Sequence, residues 1–158
     1  MGTDLGKPFD IYWRGRPPHM LAEDVPVWYR FLKAWGEVFE NLYYDVCVGG
    51  VTLSEERKKN PMWRMWRKTT AKRIDAIGET KDQIWIIEVA DRPGLRALGQ
   101  VQVYRSLWIE DPAITKPEKM VLVCQTLDTD LGAAAAQNGV LIFVMPEKGP
   151  VAFTTGEA

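Results

Sequence analysis

Apolar residues recur at three- and four-residue spacing from Trp28 through Phe31, Leu32, Trp35, Val38, Phe39 and Leu42. That spacing marks one face of a helix and predicts an amphipathic helix over roughly 25–41. Asp24 stands where it can cap this helix, and Pro26 suits its first turn. The period then shortens. Tyr43 to Val48 predicts a short strand, stopped by Gly49-Gly50. Residues 51–62 read as a charged loop or short helix before Pro61. Lys72 to Gly78 predicts a strand, Glu79 to Asp82 a tight polar turn, and Gln83 to Val89 a second strand. The near-continuous apolar run of that second strand suits a central position in a sheet, and so short a turn makes the pair an antiparallel hairpin. Asp91 and Pro93 open a helix that reaches about Trp108. Met120 to Cys124 is a buried strand, Asp128 to Gln137 an Ala-rich helix stopped at Asn138-Gly139, and Val140 to Met145 a last strand. The order is helix, three strands, helix, strand, helix, strand, which is an α/β pattern. Residues 1–23, with Arg16-Pro17-Pro18 and little periodicity, read as an N-terminal arm. Residues 24–146 form the domain and 147–158 a C-terminal tail.

Composition narrows this picture. The chain has 158 residues, enough for one domain with a real core. It is 46% hydrophobic and 26% charged, as expected of a soluble globular protein. No apolar run approaches the roughly 18 residues that would span a bilayer, and the first ten residues lack a signal-peptide pattern. No membrane association is expected. Cys47 and Cys124 lie in apolar runs and read as buried thiols of an intracellular protein. A single His19 and the absence of a CxxC pair argue against structural zinc. Net charge is −1, which argues against a globally basic nucleic-acid binder. The charge is uneven, however. Arg57, Lys58, Lys59, Arg64, Arg67, Lys68, Lys72 and Arg73 follow one another with no acid between them, and Trp63 and Trp66 sit inside the run. Such a patch can hold a nucleic-acid backbone and stack on bases; the plainer alternative is a solvated loop with two anchoring tryptophans.

The chemistry concentrates in the hairpin. Asp75 lies near the end of one strand and Glu88 near the end of the next, so the two are expected opposite one another, within reach of one cation. Two carboxylates completed by waters and phosphate oxygens suit magnesium. Glu88 is an acid in an apolar strand, where a charge must be paired or bound to a metal; an edge-strand salt bridge is the ordinary alternative. In the helix that follows, Gln100 and Tyr104 fall one turn apart on the same face.

An Asp, a Glu about a dozen residues later, and a following helix with Gln-x-x-x-Tyr resemble the PD-(D/E)XK nuclease superfamily, most closely its RecB-like branch. The resemblance covers roughly residues 25–125. It implies a restriction-endonuclease-like core, with a helix, a three-strand meander, a helix and a strand around a mixed central sheet. It implies that Asp75 and Glu88 bind magnesium or manganese, with the Val89 carbonyl as a third ligand. Gln100 and Tyr104 would line the cleft and position DNA and the attacking water, and the family's acid on the first helix would be Glu37, with Glu40 as its rival. The basic residues Arg64, Arg67, Lys68, Lys72 and Arg73, with Trp63 and Trp66, would contact DNA. One position departs from the pattern: the lysine expected two residues after Glu88 is Ala90, with Lys72 or Arg96 as candidate substitutes. Two functions are therefore expected in order. The first is a metal-dependent deoxyribonuclease, phage or mobile-element encoded and acting in the cytoplasm. The second is an inactive nuclease-fold subunit that binds DNA or assembles into a homo-oligomer or larger particle such as a virion, for which a Trp-rich surface is suited.

Overall fold

The computed structural model describes residues 2–148 and a strand at 152–154. Its core is a mixed sheet whose strands lie side by side in chain order. Helix α1 (Val25–Trp35) buries Val27, Trp28, Phe31 and Leu32 on one face. It is shorter than the apolar periodicity predicts. Gly36 follows, a single 3₁₀ turn occupies Gly36–Val38, and β1 (Phe39–Val48) begins at once. The cause lies in a bulge between Phe39 and Asn41. One extra residue there lets Phe39 and Leu42 face the same side of a strand at a spacing that mimics a helix. Leu42 and Tyr44 then continue at strand period, packed with Phe39 and the buried face of α1.

A 3₁₀ turn (Arg57–Lys59) and α2 (Pro61–Thr70) lead into β2 (Lys72–Thr80). The basic run is therefore largely helical, with Asn60 accepting from the Met62 amide as its cap. β2 turns directly into β3 (Ile84–Ala90), and β1, β2 and β3 form an antiparallel meander. Helix α3 (Leu95–Glu110) crosses over to β4 (Glu118–Cys124), which runs parallel to β3 in the register Ile84↔Glu118 to Ala90↔Cys124. Helix α4 (Thr129–Gln137), capped by Asp128 on the Leu131 amide, crosses to β5 (Val140–Val144), also parallel. Two parallel steps require two crossovers of this kind. A short β6 (Ala152–Thr154) pairs antiparallel with β5, inside the segment expected as a tail.

The sheet is covered on both faces. On one side α1 packs with Ile87, Val89, Val121 and Val123. On the other, Val101 and Trp108 of α3 and Ala135 of α4 pack with Ile84, Ile86, Leu122 and Ile142. This explains the continuous apolar run of β3, which has no solvent-facing side to alternate with. The N-terminal arm folds back on β1 through bridges at Asp4↔Cys47 and Phe9↔Leu42. Phe9, Trp13 and Tyr44 form an aromatic cluster there, with Phe9 and Tyr44 edge to face at 5.0 Å. Among the described residues no helix is long and apolar enough to cross a membrane.

Candidate active site

The site forms where β2 begins and β3 ends. Their ladder runs from Glu79↔Ile84 to Ala76↔Ile87 and then stops. The next pair in that register is Asp75 and Glu88. There the strands no longer exchange backbone bonds; the Val89 amide instead donates to Asp75 Oδ2 at 2.8 Å. The carboxyl groups of Asp75 and Glu88 lie within hydrogen-bonding reach of one another. Two carboxylates in contact cannot both hold a negative charge in a poorly solvated site, so the pair shares a proton. Glu88 is only 6% exposed. Burial, and then the adjacent Asp75 charge, push its carboxyl up to about 10. Burial likewise raises Asp75.

The pair opens into a cavity of about 440 Å³. Gln100 and Tyr104 of α3 line it, one turn apart as expected, and Ala90 forms part of the wall. Tyr104 is buried, which raises its hydroxyl, and the Glu88 and Asp75 charges raise it further. The cations on the wall are Arg73, Arg92 and Arg96, with His19 beside them; no lysine lines it. Arg96 acts electrostatically on both Glu88 and Tyr104, opposing the rise of each. Lys72, the other candidate for the lysine's role, is exposed at the start of β2 and does not line the cavity.

The acid expected from the first helix does not reach the cavity. Glu37 sits exposed in the 3₁₀ turn, where the Tyr12 hydroxyl approaches its Oε1 at 3.4 Å, and it does not line the cavity. Glu40 is exposed on β1. The acid that α1 brings to the cavity is Asp24, the residue expected only as a helix cap. It makes no side-chain cap bond; its Oδ1 accepts the Asp91 amide at 2.8 Å, tying the start of α1 to the end of β3. Asp91 does not cap α3 either, since Gly94 holds that place. Asp24 is 7% exposed. Burial raises its carboxyl to about 6, against the Asp91 hydrogen bond and with help from Asp75.

Sequence reasoning also missed Asp45 and His19. Asp45 stands in β1 opposite Asp75 in the register Tyr44↔Ala76, Val46↔Ile74. It carries a charge in an apolar strand, the signal that singled out Glu88. Its φ is +52° and that of His19 is +61°, and these are the positive-φ residues other than glycine among those described. The two meet at the cavity rim. His19 Nε2 is 3.4 Å from Asp45 Oδ2, and Arg73 Nη1 is 3.4 Å from the same oxygen and 2.5 Å from Nε2. Asp45 Oδ1 is covered and has no hydrogen-bond partner. Left-handed backbone costs a non-glycine residue roughly 1–3 kcal/mol and persists where surrounding structure enforces it, often at functional sites.

The donor set fits a hard divalent cation. Asp75 and Glu88 would hold it, and a cation there would replace the shared proton; Val89 meets Asp75 through its amide. Among the described residues no three His, Cys, Asp or Glu side chains form a ready-made metal cluster, so waters or substrate oxygens would complete the shell, as magnesium prefers. Of the basic residues, Arg73 is engaged at the rim, while Arg64, Arg67 and Lys68 lie on α2 with Trp63 and Trp66. Family models, curated proteins and solved structures were each compared with this chain, and nothing matches.

Proposed function

We propose that this chain is a divalent-cation-dependent deoxyribonuclease of the PD-(D/E)XK kind, with a restriction-endonuclease-like core. The observation that carries the reading is the Asp75–Glu88 contact at the mouth of a cavity whose facing helix presents Gln100 and Tyr104. With α2 inserted between β1 and β2, the order α1, β1, β2, β3, α3, β4 supports the reading, since the resemblance implies a helix, three strands, a helix and a strand. When bound, magnesium or manganese supplies Lewis acidity at the phosphate and a more acidic water. The chain's own residues do the rest. Asp75 is fixed by the Val89 amide, so the cation's place is set by the backbone of β3. Gln100 and Tyr104 offer hydrogen-bonding groups to the water and the phosphate. Arg96 offsets negative charge beside Glu88, the task the missing lysine would otherwise perform. Arg64, Arg67, Lys68 and Lys72 offer charge to a DNA backbone.

Ala90 favours a second reading. It lines the cavity where the family pattern has a lysine, and among the described residues no lysine lines the cavity. An inactive nuclease fold, kept as a DNA-binding or assembly subunit, accounts for that position. The two readings separate on cleavage of labelled linear and supercoiled DNA with magnesium or manganese, using this chain and its Ala90→Lys variant. Cleavage by both, lost in Asp75→Ala with the fold intact, supports a working nuclease that uses Arg96. Cleavage by the lysine variant alone identifies a site disabled at one position. Silence in both removes the enzyme reading.

A further inference from the structure

Helix α2 is unusual for a helix of a folded domain, because none of its ten residues is buried. Met62, Met65 and Trp66 are 79%, 69% and 47% exposed. Their three- and four-residue spacing aligns them in one stripe along the helix. Burying this stripe would ordinarily stabilise such a helix, so folding alone does not account for it. Trp63 is a different case: the Arg57 guanidinium covers its ring at 4.2 Å, and it meets Trp66 edge to face at 5.5 Å. Trp66 is the more exposed of the two.

Beside α2 lies a second cavity, of about 660 Å³, bounded across from the helix by Thr3 and Asp4. Lys58, Arg64, Arg67 and Lys68 line it, against the single carboxylate of Asp4. Lys58 is paired with Glu55, and Arg64 donates to the Lys58 carbonyl. Arg67 stands apart. Its Nε and Nη2 are covered and have no acceptor, and the Thr3 hydroxyl nearby is in the same state. Covered guanidinium donors without an acceptor are costly, and with no carboxylate partner among the described residues Arg67 brings an unneutralised charge to the cavity wall. The patch adjoins the rim of the first cavity, since Arg73 Nη2 reaches the Lys68 carbonyl at 3.5 Å.

We propose that α2 and this cavity bind single-stranded nucleic acid, its phosphates among Arg64, Arg67 and Lys68 and an unstacked base on Trp66. The proposal deepens the nuclease reading and rests on it only for the direction in which the strand runs towards Asp75 and Glu88. Charge complementarity selects a polyanion. The apolar stripe selects among polyanions, because a duplex hides its base faces in the stack and a single strand offers them.

The experiment is fluorescence anisotropy of a labelled oligothymidylate with the full chain, in EDTA so that no cleavage intervenes. A duplex of equal length and vesicles containing phosphatidylserine serve as competitors. The single strand is expected to bind at least about tenfold more tightly than the duplex, and Trp66→Ala to weaken it at least about fivefold, the lower end of one stacked base. Arg67→Gln is expected to weaken it and to flatten its salt dependence. No residue of α2 belongs to the hydrophobic core, so neither variant removes a core side chain, and unchanged circular dichroism verifies that the fold is intact. Equal binding of duplex and single strand, indifference to Trp66→Ala, or displacement by vesicles but not by unlabelled oligonucleotide would each overturn the proposal. Strand binding without cleavage in magnesium would sink the nuclease reading and leave this one standing. Cleavage with binding that ignores α2 would do the reverse.

Discussion

Glu88 is the residue at which folding and chemistry meet. Its carboxyl is held at about 10, against an ordinary 4.5, chiefly because it is buried and also because Asp75 touches it. The folded protein therefore keeps a proton that the unfolded chain has released over the whole interval between those values. Stability from this group is complete below about pH 4.5 and is lost as pH rises through the folded value. Asp24, raised to about 6, adds to the loss over the lower part of that interval. In EDTA, the urea midpoint should fall steadily between pH 5 and 8.5, with a slope of at most about 1.4 kcal/mol per pH unit for one proton. Glu88→Gln keeps a hydrogen bond to Asp75 without the titration and should flatten most of that slope. A divalent cation should restore the wild-type midpoint at high pH by taking the proton's place. A wild-type profile that is flat in EDTA would show that Glu88 is ionised and would remove the shared proton.

At the scale of elements, two helices with side-chain caps are held in different ways. Asp128 caps α4 through the Leu131 amide at 3.0 Å, and α4 buries Leu131 and Ala135 against the sheet. Asn60 caps α2 through the Met62 amide at 2.9 Å, but α2 buries nothing. Removing a cap costs about 1 kcal/mol of helix stability, yet only a helix coupled to the core passes that cost to global unfolding. Asp128→Ala should lower global stability by about 1 kcal/mol in urea titration. Asn60→Ala should leave the urea midpoint nearly unchanged while hydrogen exchange accelerates across residues 61–70. Equal effects on global stability would mean that α2 folds as part of the core.

For the whole molecule, β3 is the shared wall. Ile87 faces the α1 side and Ile86 the α3 side, and both are fully buried. Ile87→Ala should cost about 2–5 kcal/mol and weaken both layers together. Near- and far-ultraviolet circular dichroism should then report one coincident transition; separate midpoints would show that the two faces unfold independently. Much of this architecture was readable along the chain. Apart from α2 and β6, which were not among the expected elements, the order of strands and helices, the central place of β3, and the Asp75–Glu88 and Gln100–Tyr104 pairs follow from local periodicity and turn length, which act over a few residues. The end of α1 did not, because the bulge at Phe39 gives a strand the spacing of a helix. Nor did the third acid: Asp24 reaches the site through the Asp91 amide, 67 residues away along the chain. His19 and Asp45 meet only because the arm folds back over β1. The sequence determined most of the elements and which charged residues lie inside them, since those depend on near neighbours. The tertiary structure decided which acids share a cavity, which cations line it, and which helix is left with its apolar face open. Those depend on contacts between segments distant in the chain, and no local pattern encodes them.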